Sequence, residues 1–174
     1  MNELEILISE RQKRLPAQTD AYRISDGSPW QNVFIDALAD RILVSLRDTT
    51  LPPKLKTLLC ELNQPVYLKR LDNDVKEAPQ HLCGPEADPR FPISENGVRY
   101  IMDMEAGYSQ GIFLDQRDNR AEVKQRCSEG MRLLNTFSYT GAFSVCAALS
   151  GAVTTTLDLA QPCLDWCKEN MQLN

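Results

Sequence analysis

The chain has 174 residues, 43% hydrophobic and 25% charged, with a net charge of −5 and a pI near 5.0. This is ordinary globular composition for one domain or two small ones, and it excludes a disordered chain. The acidic balance lacks the footprint of an autonomous nucleic-acid binder, and no apolar run approaches the ~20 residues of a membrane span.

Two glutamates precede the first apolar residues, Met1-Asn2-Glu3-Leu4-Glu5-Ile6-Leu7-Ile8, where an export signal wants positive charge. A cytoplasmic protein is expected. Leu4, Leu7, Ile8 and Leu15 fall at helical spacing and predict a helix over 3–14, ended by Pro16. Asp26-Gly27-Ser28-Pro29 is a turn signal. Residues 32–47 fit one helix or two strands around a turn; their β-branched content favours a hairpin. Pro52 and Pro53 open a helix over 54–62, because proline suits a first turn. Residues 65–71 alternate like a strand. Residues 72–92 are rich in Pro, Asp and Asn and read as a loop or linker at a domain edge. Asn96-Gly97 between two extended runs signals a hairpin, since both residues accept positive φ.

Residues 115–129 are polar and helical, and Gly130 stops them. Residues 131–137 read as a buried-type strand. Ser138 to Gly141 turn into a helix holding Phe143, Val145, Cys146 and Leu149, and a second strand ends on Asp158. Strand, helix and strand in this order predict a parallel pair with a right-handed crossover. The expected organisation is a small α+β domain with its linker over 1–92, then an α/β unit over 93–174.

Lys54, Lys56, Lys69 and Arg70 are the candidates for a local basic patch, although mixed charges usually form a solvated face. None of the six cysteines forms a C-x-x-C pair, and without an export signal all six are expected as reduced thiols. Cys163 and Cys167, one helical turn apart, have the spacing to share a metal, but burial tendencies favour core packing. His81, the one histidine, has no partner for acid–base chemistry in its neighbourhood.

Ligands of parallel sheets sit beyond the carboxyl ends of the strands. That rule places Asn135 to Gly141 beside Asp158. The helix N-terminus after Thr140 offers free N–H groups, Gly141 allows close approach, and Asp158 is placed for ribose hydroxyls. On these residues alone a nucleoside site and a plain α/β core both remain open, because one glycine is not a G-x-G-x-x-G fingerprint.

The strings E-N-G-V-R-Y from Glu95, G-I-F-L-D-Q-R-D-N-R from Gly111, L-N-T-F-S-Y-T-G-A-F-S from Leu134 and K-E-N-M-Q-L-N from Lys168 resemble the class I S-adenosylmethionine-dependent methyltransferases of the bacterial 23S ribosomal RNA group. The resemblance covers residues 94–174 closely and 15–70 more loosely. It implies a small α+β N-terminal domain followed by the start of a Rossmann-like methyltransferase domain, S-adenosyl-L-methionine as cofactor and ribosomal RNA as substrate. It further implies that Asn135, Phe137, Ser138, Tyr139, Thr140 and Gly141 form the methionine-side loop. Asp158 would hold the ribose, with Leu159 beside the adenine. Phe113, Asp115 and Arg117 would pack over the pocket, Arg117 either pairing with a carboxylate or forming a helix-start ion pair with Asp115. The sequence departs from the family pattern at Gly107-Tyr108-Ser109-Gln110, where a basic step is usual, and at Ala160, where a serine is usual. The target-base pocket of such enzymes lies beyond position 174, so no catalytic residue is expected here. The alternative is a non-catalytic fragment with a folding, binding or assembly role. A short parallel sheet also leaves an apolar flank, which the N-terminal domain or a second copy of the chain is expected to cover.

Overall fold

The computed structural model describes residues 2–71 and 77–174. Helix α1 (Glu3–Gln12) starts on a reciprocal cap: the Asn2 side chain accepts from Glu5 N–H while the Glu5 carboxylate accepts from Asn2 N–H. A five-stranded sheet follows in the order β1 (Ala21–Asp26), β2 (Val33–Leu38), β3 (Arg41–Leu46), β4 (Val66–Arg70), β5 (Gln80–Cys83), with α2 (Pro53–Glu61) crossing between β3 and β4. Only β3 and β4 run parallel; their link is the helix, as a parallel connection requires.

Strand alternation gives this sheet two working faces. One face, with Val33, Ile35, Val44 and Val66, packs on Leu4 of α1 and Leu55 and Leu59 of α2. The other carries Leu38, Leu43 and Tyr67, which pack towards the hairpin β6 (Arg90–Glu95) and β7 (Val98–Asp103). The same buried cluster continues through Phe91, Tyr100 and Met102 to Val145 and Cys146. The expected hairpins are present, and Asn96 and Gly97 both adopt positive φ, +51° and +74°.

A 3-10 turn (Leu114–Gln116) leads into α3 (Arg117–Arg126), and then β8 (Arg132–Thr136), α4 (Ala142–Leu149), β9 (Val153–Leu157) and α5 (Gln161–Gln172) complete the chain. Strands β8 and β9 are parallel, with Arg132 opposite Val153 and Thr136 opposite Leu157. Among the described residues no helix is long and apolar enough to cross a membrane.

Four expectations need correction. The stretch read as linker holds β5 and the start of β6, with residues 72–76 outside the described residues. Its prolines misled because Pro92 sits in a two-stranded hairpin opposite Ile101, where a missing N–H is tolerated. Strand β8 is not buried on both sides. Leu133 and Asn135 turn towards α4, whereas Leu134 is 63% exposed and Val153 and Leu157 beside it are exposed as well, so the N-terminal sheet does not cover this face. The six cysteines are not all free: Cys60 of α2 and Cys83 of β5 form a disulfide with Cα atoms 5.6 Å apart, a proximity that only the tertiary fold creates. Finally, Lys69 is not on a solvated face. Alternation along β4 turns it inward while its neighbour Arg70 points to water.

Candidate functional site

Strand β8 ends at Thr136, and the chain then makes a turn whose backbone alternates in hand. Phe137, Tyr139 and Gly141 have φ of +55°, +50° and +74°. Left-handed conformations are costly for aromatic residues, so other contacts must fix them. Ser138 N–H donates to the Leu157 carbonyl at 3.1 Å, tying the turn to the end of β9. Tyr139 N–H donates to Asp158 Oδ2 at 2.8 Å, and Ala160 N–H donates to Asp158 Oδ1 at 3.0 Å. These backbone donors hold the Asp158 carboxyl below the usual carboxylate range.

Three further bonds anchor the turn to distant elements. The Tyr139 hydroxyl donates to the Ser109 carbonyl at 2.8 Å, and Thr140 Oγ1 donates to the Gly111 carbonyl at 2.5 Å. Asn170 of α5, fully buried, donates to the Thr140 carbonyl at 3.0 Å and accepts from Ile101 N–H of β7 at 2.8 Å. The Tyr139 ring lies between Phe113 and Trp166, with centroids 5.6 and 6.2 Å away. Burial pushes its phenol up to about 12.

Between this turn, the first turn of α4 and the 113–120 segment lies a cavity of about 200 Å³. Phe113, Arg120, Asn135, Phe137, Ser138 and Tyr139 are among its walls. Among the described residues Ser138 Oγ, buried there, has no hydrogen-bond partner. Buried polar atoms are almost always paired, and this hydroxyl is an exception, as is Arg41 Nε. Asn135, by contrast, is already engaged: it donates to Ser144 Oγ at 2.9 Å, which also accepts from Thr156 Oγ1 at 2.9 Å. The N-cap of α4, Gly141, makes no side-chain cap bond, so the first-turn N–H groups lack a capping acceptor.

The structure thus brings Asn135, Phe137, Ser138, Tyr139, Thr140 and Phe113 around one cavity, with Asp158 locked to the same turn. Leu159 stands beside Asp158 and is 99% exposed. Asp115 and Arg117 do not join this cavity. Arg117 pairs with its neighbour Asp118 at 3.3 Å, Asp115 accepts from the Gln116 amide, and both line a cleft shared with Arg11 and Tyr22. Gly141 also has a packing role. A Cβ there would lie 2.1 Å from Cys167 Sγ, so glycine permits close packing of α4 on α5.

Sequence reasoning missed Arg120, Glu95 and Asn170. Arg120 makes a bidentate pair with Glu95, both bonds 2.7 Å and both side chains 2% exposed, and also donates to the Phe113 carbonyl at 2.9 Å. This pair fixes the covering segment to the β6–β7 hairpin. Arg120 lies in a polar helix among other arginines, and the signal that could have found it is its place at the end of the string from Gly111, as Glu95 opens another such string and Asn170 lies in a third.

A sequence model of the S-adenosylmethionine-dependent methyltransferase family matches residues 38–174. A protein named YwbD of Bacillus subtilis, placed by its name among ribosomal RNA large subunit methyltransferases, is 49% identical over 87 residues, covering 48% of this chain and 22% of that protein. Ribosomal RNA large subunit methyltransferase I of Yersinia pseudotuberculosis is 40% identical over 94 residues, covering 53% of this chain and 24% of the relative. Among solved structures, a protein from Streptococcus mutans described as a SAM-dependent methyltransferase superposes with a TM-score of 0.82 at 32% identity, covering 98% of this chain and 47% of that one. The protein SMU.776, solved as a complex with SAH, gives 0.81 at 32% identity over 97% of this chain and 46% of its own. The chain therefore spans about half the length of these solved relatives. The matched residues include the whole β8–α4–β9 unit and its turn, and the chain belongs to the S-adenosylmethionine-dependent methyltransferase family.

Proposed function

We propose that this chain holds S-adenosylmethionine at the carboxyl end of β8 and serves a methyltransferase acting on a base of large-subunit ribosomal RNA. The observation that carries the cofactor assignment is the buried, unpartnered Ser138 Oγ in the cavity beside the Asp158-locked turn. Ser138 Oγ and the uncapped N–H groups of α4 take the polar methionine end. Asp158 accepts from backbone N–H groups of the turn and of the 159–160 segment, and its remaining lone pairs take ribose hydroxyls. Leu159 lies beside the adenine, and Phe113, held by Arg120, closes the cavity. Asp115 and Arg117 stay outside the cofactor set. When bound, the cofactor supplies an electrophilic methyl group. The contribution of these residues is to bind, orient and exclude water, which is catalysis by positioning.

The RNA assignment rests on the relatives' names together with the exposed aromatic side chains beside the cavity. Titration calorimetry with S-adenosylhomocysteine tests the cofactor part. Saturable binding is expected, weakened about tenfold by Asp158→Ala and by Ser138→Ala, the loss of one charge-assisted or otherwise unmade hydrogen bond. Absence of saturable binding in the parent chain refutes it. The exposed face of β8 and β9 is the surface for the self-association expected from the sequence; a strictly monomeric species at all concentrations in sedimentation equilibrium refutes that part.

A further inference from the structure

The N-terminal sheet carries a second cleft, of about 280 Å³, on the face opposite α1 and α2. Register puts Phe34, Ser45 and Lys69 side by side on its floor, with Arg23 and Asp36 in the next row and Arg47 beyond the end of β3. The 107–115 segment forms the opposite wall. The charges here are unlike those of the whole molecule. Arg23, Arg47 and Lys69 face two carboxylates, Asp36 and Asp115, on a chain whose net charge is −5.

These cations are arranged around an aromatic ring. The guanidinium carbons of Arg23 and Arg47 each lie 5.5 Å from the Phe34 ring centroid. Arg23 is paired with Asp36. Arg47 is exposed, and among the described residues it has no ion-pair partner. Lys69 is buried, and its ammonium donates to the Gly107 and Tyr108 carbonyls at 2.9 and 3.0 Å, neutral acceptors, and among the described residues no carboxylate pairs with it. A charge buried without a counter-ion is costly, and an anionic ligand in the cleft relieves that cost.

The position of the cleft decides the ligand class. Ile112 and Phe113 line both this cleft and the cavity at the end of β8. Whatever occupies the cleft therefore sits next to the proposed methyl donor. Aromatic and arginine planes with uncompensated cations are the chemistry that recognises single-stranded nucleic acid, bases on rings and phosphates on cations. The volume is at the small end for a ligand pocket, which suits one nucleotide and not a duplex. Resting on the functional reading above, we propose that this cleft binds a nucleotide of single-stranded RNA adjoining the base to be methylated, with its base against Phe34 and its phosphate on Arg47.

The test is fluorescence anisotropy of the 174-residue chain with a labelled mixed-sequence oligoribonucleotide, single-stranded or annealed to its complement. Phe34→Ala and Arg47→Ala should each weaken single-strand binding about tenfold. Arg47→Ala should also reduce the salt dependence of log K by about 0.7, the loss of one phosphate contact on a single strand, and Arg47→Lys should restore it. Arg126→Ala, on the far end of α3, should change neither. Calorimetric binding of S-adenosylhomocysteine should be unaltered in all these variants. Parent-like RNA affinity and salt slope in Phe34→Ala and Arg47→Ala overturn the proposal, as does equal affinity for duplex or no RNA binding by a parent that binds S-adenosylhomocysteine. A parent that fails to bind S-adenosylhomocysteine overturns the functional reading itself.

Discussion

Alanine at position 141 should destabilise the protein by about 2–5 kcal/mol, and the structure divides that loss into two parts. Gly141 has φ of +74°, where an L-residue costs about 1–2 kcal/mol. The new methyl would lie 2.1 Å from Cys167 Sγ and 2.8 Å from its Cβ, while the Cys167 Cα is 3.5 Å away. Rotating the thiol does not relieve the clash, because the Cβ is also too close. Cys167 is buried on α5, so the helix has to shift, and overpacking of this kind costs about 1–3 kcal/mol. Only the second part depends on residue 167. Pairing Gly141→Ala with Cys167→Gly leaves the Cα at ordinary van der Waals distance. A double-mutant cycle should then show about 1–3 kcal/mol of favourable coupling, with the backbone part unrecovered. Cys167→Ser, which keeps a Cβ and a γ atom, should give no rescue. Urea unfolding followed by tryptophan fluorescence reads all six proteins, counting the parent and both double mutants, with Trp166 on α5 as a local reporter. An additive double mutant, or a Gly141→Ala loss within about 0.5 kcal/mol of zero, would refute the packing argument.

Glu95→Ala should cost about 3–5 kcal/mol in the same assay, because it leaves Arg120 buried and uncompensated, whereas Glu95→Leu with Arg120→Met should be milder; equal losses would count against a desolvated pair. Asp158 has a folded-state pKa below its unfolded value, so its contribution is present above the ordinary carboxylate range and is lost as pH falls through the depressed folded pKa. The Tyr139 and Ala160 amide resonances should accordingly shift together in that acid window and stay pH-independent there in Asp158→Asn; separate midpoints would show that the two bonds do not share one carboxylate. Thiol titration of the unfolded chain should find four groups before reduction and six after, and six at the outset would contradict the Cys60–Cys83 link.

Features governed by local chemistry were legible in the sequence. The Asn96-Gly97 turn announces itself because few other pairs accept two positive φ values, and Pro53 opens α2 because a first turn needs no N–H there. The β8–α4–β9 order followed from periodicity, and with it the juxtaposition of Ser138 and Asp158. Features that depend on distant partners were not legible. Strand β5 is four residues long and is defined by its pairing with β4, which no composition rule detects. Lys69 looked like surface charge until alternation along β4 and the opposite wall enclosed it. Glu95 and Arg120 are 25 residues apart, each in a setting where a charged residue is unremarkable. The same holds for Asn170, whose amide links β7 to the turn before α4.

These distant partners explain why the turn can serve as a binding element at all. Left-handed backbone at Phe137 and Tyr139 would not persist in an isolated loop. Here the turn is held from β9 through Leu157 and Asp158, from α5 through Asn170, and from the 109–111 segment through Tyr139 and Thr140. The strain is therefore met by folding, before any ligand arrives, and a ligand need not supply the ordering cost. Among the described residues Ser138 is the one side chain of the turn left buried and unbonded, whereas Tyr139 and Thr140 spend their hydroxyls on the 109–111 segment. Removing a bond that sets the shape should thus act differently from removing the unbonded group. Asn170→Ala should lower both stability and cofactor affinity, while Ser138→Ala should lower affinity and leave the unfolding midpoint unchanged or raised, since it abolishes an unsatisfied buried hydroxyl. A Ser138→Ala variant that unfolds more easily without losing affinity would show that the hydroxyl belongs to the scaffold.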